Sequence, residues 1–182
     1  LPNLENFVSA FAAESFKDEE NGLVKAIFDP EFMSIKVNQA DGVDVIATSA
    51  TNFYEGVTQK EVEDFYAKMK DPKDAEPVMF GLNSKLVKED GKLVEKTWKI
   101  DGIYGETISH IVYWLEKAAG VAENAEQKAH IEKLISFYKT GDLKEFDEYS
   151  ILWVKDLNSK VDSENGFIES YNDPLGLRGS WE

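Results

Sequence analysis

Two glycine turns, Asp41-Gly42 and Glu89-Asp90-Gly91, interrupt stretches of alternating residues and commit this chain to antiparallel β structure. Phe32, Ser34, Lys36 and Asn38 alternate with Met33, Ile35 and Val37, and Val43, Val45 and Ala47 follow the first turn. Residues 31–38 and 43–49 are therefore predicted to pair as a hairpin. Ser84 to Lys88 and Lys92 to Ile100 flank the second turn, whose glycine supplies the positive φ that a tight hairpin needs.

Elsewhere the apolar period lengthens from two to between three and four, which predicts helices. Leu4, Phe7, Val8 and Phe11 mark a helix over 4–16, and Lys17 to Gly22 reads as an exposed turn. Thr58 opens a helix through Met69, and Glu61 three residues on completes a capping box. Asp71-Pro72 ends it, because the residue before proline avoids helical dihedrals. Three more helices are predicted: Glu106 to Ala119, Glu123 to Lys139, and a third from Asp142 to about Asn158. Ile108, Ile111, Val112 and Leu115 stripe the first, and Ile131, Leu134, Ile135 and Tyr138 the second. Gly166 to Tyr171 is rich in β formers and reads as a strand. Asp173-Pro174-Leu175-Gly176 is a turn, and Gly179 to Glu182 begins another strand. The fold class is α+β, with helices packed on a small, mostly antiparallel β core in a single domain over 1–182.

The chain has 35 acidic and 20 basic residues, a net charge of -15, no cysteine and one arginine, Arg178. Nucleic acid and anionic membrane surfaces are unsuitable partners for such a charge. No apolar run approaches the ~18 residues of a membrane helix. Disulfides, cysteine-ligated metals and thiol nucleophiles are excluded. Residue 1 is Leu, which suggests a piece of a longer chain.

Candidate chemistry is sparse. His110 and His130 sit twenty residues apart on separate predicted helices, neither in a zinc-helix spacing. Glu126, four residues before His130, reads as its helix-surface partner. The acidic run Asp162 to Gly166 lacks the alternating ligands of a calcium loop. No serine–histidine motif and no phosphate loop is present. Trp98, Trp114 and Trp153 read as core. One pair stands out. Glu169 and Tyr171 lie two apart on the predicted strand, so alternation puts them on one face, about 7 Å apart. A carboxylate can take an ammonium group, and a phenol can donate to a carbonyl or to the oxyanion it becomes.

The run Asn165-Gly166-Phe167-Ile168-Glu169-Ser170-Tyr171-Asn172-Asp173-Pro174-Leu175-Gly176, continued by Leu177-Arg178-Gly179-Ser180-Trp181-Glu182, resembles the signature of peptidase family M49, the dipeptidyl peptidase III family. Ile111 to Ala119, Ile131 to Leu143 and Leu152 to Leu157 resemble its bacterial, Bacteroides-type branch. The resemblance runs from about residue 50 onward. It implies a two-lobed zinc exopeptidase that releases N-terminal dipeptides from short peptides, usually in the cytoplasm. Zinc is held in that family on a HExxGH helix, which this chain lacks. The chain thus resembles part of the β-barrel-like, peptide-binding lobe that precedes that helix, inactive alone. Its expected partners are a short peptide and the zinc-bearing helical lobe of the same polypeptide. The resemblance implies that Glu169 binds the substrate's α-ammonium and that Tyr171 is catalytic, bonding the scissile carbonyl. Zinc is implied for the whole enzyme, with no metal ligand in this chain. Two other readings stay open: a freestanding acidic module binding peptides or proteins without catalysis, and a structural helical scaffold.

Overall fold

The computed structural model describes residue 6, residues 22–29, residue 32 and residues 35–182. Apart from Asn6, the helix expected over 4–16 lies outside the described residues. Among the described residues, five helices and five strands follow in chain order: α1 (Leu23–Phe28), β1 (Tyr54–Glu55), α2 (Gln59–Ala67), β2 (Ser84–Glu89), β3 (Lys92–Thr97), α3 (Gly105–Ala119), α4 (Ala125–Thr140), α5 (Leu143–Lys155), β4 (Phe167–Glu169) and β5 (Ser180–Trp181). The arrangement is α+β. None of the described helices is long and apolar enough to cross a membrane.

Among the described residues, the first predicted hairpin does not form. Residues 45–48 make a turn instead, and Ile35 meets Ser49 through a single parallel bridge. The cause is Asp44. Its Oδ1 accepts the amides of Ile46 and Ala47, each at 3.0 Å, which draws the backbone out of an extended ladder. Its Oδ2 accepts the Gln59 amide at 2.9 Å, fastening this turn to the start of α2. Burial pushes the Asp44 carboxyl up, but these three amides outweigh it and hold it below its ordinary range.

The second hairpin forms, with its second strand ending at Thr97 and not at Ile100. β2 and β3 pair antiparallel from Ser84 opposite Thr97 to Glu89 opposite Lys92. Asp90 and Gly91 turn the chain with φ of 48° and 76°, the double positive φ of a tight two-residue loop. β1 adds to the other side of β2 in parallel, so this sheet is mixed. β4 and β5 form a second, antiparallel sheet of two strands.

The capping box at α2 is complete: Thr58 accepts the Glu61 amide and Glu61 accepts the Thr58 amide. That helix stops at Ala67, short of Met69. Its buried face, Val62 and Tyr66, packs on Leu86 of β2 and Tyr54 of β1. The larger core lies between α3, α4, α5 and β4. Phe137 and Tyr138 are fully buried there, and Trp98 stacks on Phe167 with centroids 5.3 Å apart. Burying a side chain such as Phe137 contributes about 1.5–3 kcal/mol.

α4 joins α5 through Gly141, whose φ of 74° lets its amide bond back to the Phe137 carbonyl. Asp142 caps α5 through the Lys144 amide, and Glu145 pairs with Lys133 across the helix pair. Three further expectations are corrected. Trp114 is 68% exposed on α3, off the apolar stripe. His130 is buried, with Nε2 3.5 Å from Asp156 Oδ2, so Glu126 is not its partner. The strand expected over 166–171 ends at Glu169.

Candidate functional site

The candidate site sits where β4 leaves its sheet. β4 pairs with β5 through Phe167 opposite Trp181 and Glu169 opposite Ser180, a bulged register. Gly166 and Glu182 close the pairing by exchanging backbone hydrogen bonds at 3.0 and 2.9 Å. The bulge and the early end of β4 mean that simple alternation does not govern Tyr171, which lies in the turn after the strand. Glu169 and Tyr171 are nevertheless both exposed, Tyr171 at 68%. Neither side chain has a hydrogen-bond or ion-pair partner among the described residues. A carboxylate that only accepts and a phenol that can donate thus stand open to solvent within three residues of chain.

The chain turns after Ser170 because Asp173 gathers the backbone around itself. Its Oδ1 accepts the Leu175 amide at 3.1 Å, and its Oδ2 accepts those of Leu177 and Arg178 at 2.9 Å each. Tyr54 Oη donates to the same Oδ2 at 2.8 Å. The Gly176 amide closes the turn on the Asp173 carbonyl, with a Gly176 φ of 64°. Asp173 is 1% exposed, so the turn-maker read from sequence is also a buried anchor. A buried carboxylate is tolerated only when its acceptor sites are filled, as these are.

The far end of this loop is held by Arg178. Its guanidinium is fully buried against the rings of Tyr54 and Tyr66, 4.6 and 4.8 Å from their centroids. Nη2 donates to Tyr66 Oη at 2.6 Å, and Tyr66 Oη donates to Glu95 Oε1 at 2.6 Å. Ser84 Oγ donates to the same Glu95 oxygen. Burial pushes both tyrosine phenols well above their ordinary value, so they remain protonated donors. The Gly179 amide bonds to the Leu82 carbonyl at 2.8 Å, which ties the loop to the approach to β2. Sequence reading did not bring Tyr54, Tyr66 and Glu95 to this loop. Their contacts span up to 119 residues and leave no local pattern.

Beside β4 and β5 lies an apolar cavity of about 280 Å³, lined by Phe53, Trp98, Ile108, Ile111, Phe167 and Trp181 among others. Its wall leads from the buried Trp98–Phe167 stack to the half-exposed indole of Trp181. No group of three or more histidine, aspartate or glutamate side chains among the described residues can hold a metal ion. His110 is exposed on α3, and His130 Nε2 stands 3.5 Å from Asp156 Oδ2. These residues do not fit a zinc site.

The model of peptidase family M49 matches residues 83–182, more than half of the chain. This chain belongs to peptidase family M49. The matched part begins just before β2 and includes α3, α4, α5 and the whole Glu169–Tyr171 loop. The chain is 36% identical over 81 residues to dipeptidyl peptidase 3 of Homo sapiens, covering 44% of this chain and 11% of that protein. It is 33% identical over 88 residues to dipeptidyl peptidase 3 of Dictyostelium discoideum, covering 47% of this chain and 13% of that protein. The chain thus matches only about an eighth of the length of these M49 relatives. The fold resembles dipeptidyl-peptidase III from Corallococcus sp. strain EGB, with a TM-score of 0.56 and 20% identity over 78% of this chain and 25% of that one. It also resembles DPP III from Caldithrix abyssi, with a TM-score of 0.57 and 18% identity over 99% of this chain and 33% of that one.

Proposed function

We propose that this chain is the substrate-binding portion of a zinc-dependent dipeptidyl peptidase that releases N-terminal dipeptides from short peptides. One observation carries the reading: within the region matched by the M49 family, Glu169 and Tyr171 are exposed, close in sequence and unpartnered among the described residues. Glu169 binds the α-ammonium of the peptide, a group that an internal peptide bond does not offer. Tyr171 donates its phenol proton to the scissile carbonyl oxygen and holds it as negative charge builds there. The zinc ligands belong to the rest of the polypeptide, and so does the helical lobe that bears them. In this reading the two small sheets are part of a larger, barrel-like β core. The acidic binding module without catalysis has no observation in its favour here.

The test is peptide turnover by the full-length protein. The expected result is release of dipeptides from short peptides with a free N-terminus, loss of turnover with a chelator, and recovery with zinc. N-acetylated peptides should be poor substrates. Equal turnover of free and acetylated peptides would remove the ammonium role of Glu169. A lack of any zinc-dependent peptide cleavage would overturn the whole reading.

A further inference from the structure

Arg178, the chain's sole arginine, is fully buried, yet it is poorly satisfied as a hydrogen-bond donor. Its Nη2 has Tyr66 Oη, whereas Nε and Nη1 have no partner among the described residues. A buried cation in this condition is costly, and an apolar side chain of similar volume often serves stability as well or better. What the guanidinium supplies is shape. It is a rigid plane in contact with rings from two separate elements, Tyr54 of β1 and Tyr66 of α2. A flexible apolar chain would fill the slot without fixing an orientation.

That contact sets the frame of the loop that carries Tyr171. The Arg178 amide bonds to Asp173, and Asp173 in turn bonds to Tyr54, so both buried anchors of the loop converge on β1. Tyr171 lies outside these anchors, exposed and with no partner of its own among the described residues. Its phenol is therefore placed by the loop backbone. Glu169 is placed differently, by its register opposite Ser180 in the β4–β5 ladder. The two site residues thus depend on different supports.

We infer that Arg178 is a positioning residue for Tyr171, acting through the Tyr54–Arg178–Tyr66 stack. The inference rests on the peptidase reading above. It separates two kinetic quantities: loosening the stack should impair the step that Tyr171 assists and spare the binding that Glu169 provides.

The experiment uses the full-length, zinc-loaded protein with Arg178→Met, Tyr171→Phe and the double substitution. Misplacement of a catalytic group by about 1 Å can cost up to about 10²-fold, so Arg178→Met should lower kcat at least about tenfold with KM within about twofold. In the Tyr171→Phe background the same change should cost less than about twofold, because no phenol remains to be misplaced. A folded Arg178→Met protein with wild-type kcat, or losses that simply multiply, would overturn the inference. If Arg178→Met does not fold, Tyr66→Phe removes the partner of Nη2 and keeps the ring. It should also lower kcat, non-additively with Tyr171→Phe, and an unchanged or additive kcat would equally overturn it. If Tyr171→Phe alone leaves kcat unchanged, the positioning role falls together with the role of Tyr171. Zinc-dependent dipeptide release by the unmodified protein is scored separately and decides the peptidase reading.

Discussion

Tyr54 donates its phenol to Asp173 at 2.8 Å across 119 residues of chain, and both groups are buried. The bond joins β1 to the loop after β4 without any help from sequence proximity. Tyr54→Phe keeps the ring under Arg178 and deletes only the donor. Asp173 Oδ2 then retains two amides but loses its side-chain partner. The expected cost is about 1–3 kcal/mol, the range for leaving a buried acceptor under-satisfied. Urea unfolding should show a lower midpoint with an unchanged slope. An unchanged midpoint would mean that Asp173 finds another donor.

Glu169→Gln keeps the size of the side chain and removes its charge. Hydrogen bonds to charged groups contribute about 1.5–3 kcal/mol, which predicts a KM for free-amine peptides raised by roughly 10- to 150-fold. The preference for a free amine over an acetylated one should shrink with it. The side chain is exposed and unpartnered among the described residues, so the melting temperature should move little. Steady-state kinetics on matched free and acetylated peptides checks both parts.

Gly179 has no space for a side chain. A Cβ there would stand 2.7 Å from the Phe167 carbonyl carbon and 2.8 Å from its oxygen. Those are backbone atoms of the neighbouring strand and cannot rotate away. Gly179→Ala should therefore push β5 from β4, with a cost of about 1–3 kcal/mol as in other overpacked sites. Amide exchange at Gly166 and Glu182, which close this ladder, should quicken more than exchange in α4. Uniform exchange across the two elements would count against a local effect.

Asp156 predicts an acid response. The Ser159 hydroxyl bonds to it most strongly, and with the amides of Asn158 and Ser159 it outweighs desolvation and lowers the carboxyl below its ordinary value. A carboxyl depressed in the folded state stabilises the fold above its unfolded value and loses that contribution as pH falls through the folded one. Asp156→Asn should thus melt below the unmodified protein near neutral pH. The gap should narrow as pH drops below about 4, where the unfolded carboxyl begins to bind its proton. A gap that stays constant down to pH 2 would show that the charge of Asp156 contributes nothing.

What could be read from sequence was local. The capping box of α2 spans Thr58 to Glu61, and the Asp90-Gly91 turn is decided by two residues, so both were legible. The first hairpin failed because Asp44 captures nearby amides, a competition that the alternation of Val43, Val45 and Ala47 does not reveal. Trp114 was misplaced by its hydrophobicity. At about 100° per residue it lies roughly a third of a turn from the stripe of Ile108, Ile111 and Leu115. His130 failed the other way: with Gln127 it extends the buried face of α4 toward Asp156, and polar residues on a stripe leave no hydrophobic signal. In the site, the nearness of Glu169 and Tyr171 was legible because it is written in three residues. Their support was not, since Tyr54 and Tyr66 reach Arg178 only through the fold.

A chain with a single arginine sealed inside it carries its own chemical clock. Dicarbonyl reagents attack guanidinium groups only when they meet them, and Arg178 offers no surface to meet. The rate at which Arg178 is tagged, read at that peptide by mass spectrometry, therefore counts the moments when the Tyr54–Tyr66 slot stands open. Binding of a peptide that steadies this loop would slow the clock, so the same residue reports occupancy of a surface it never touches.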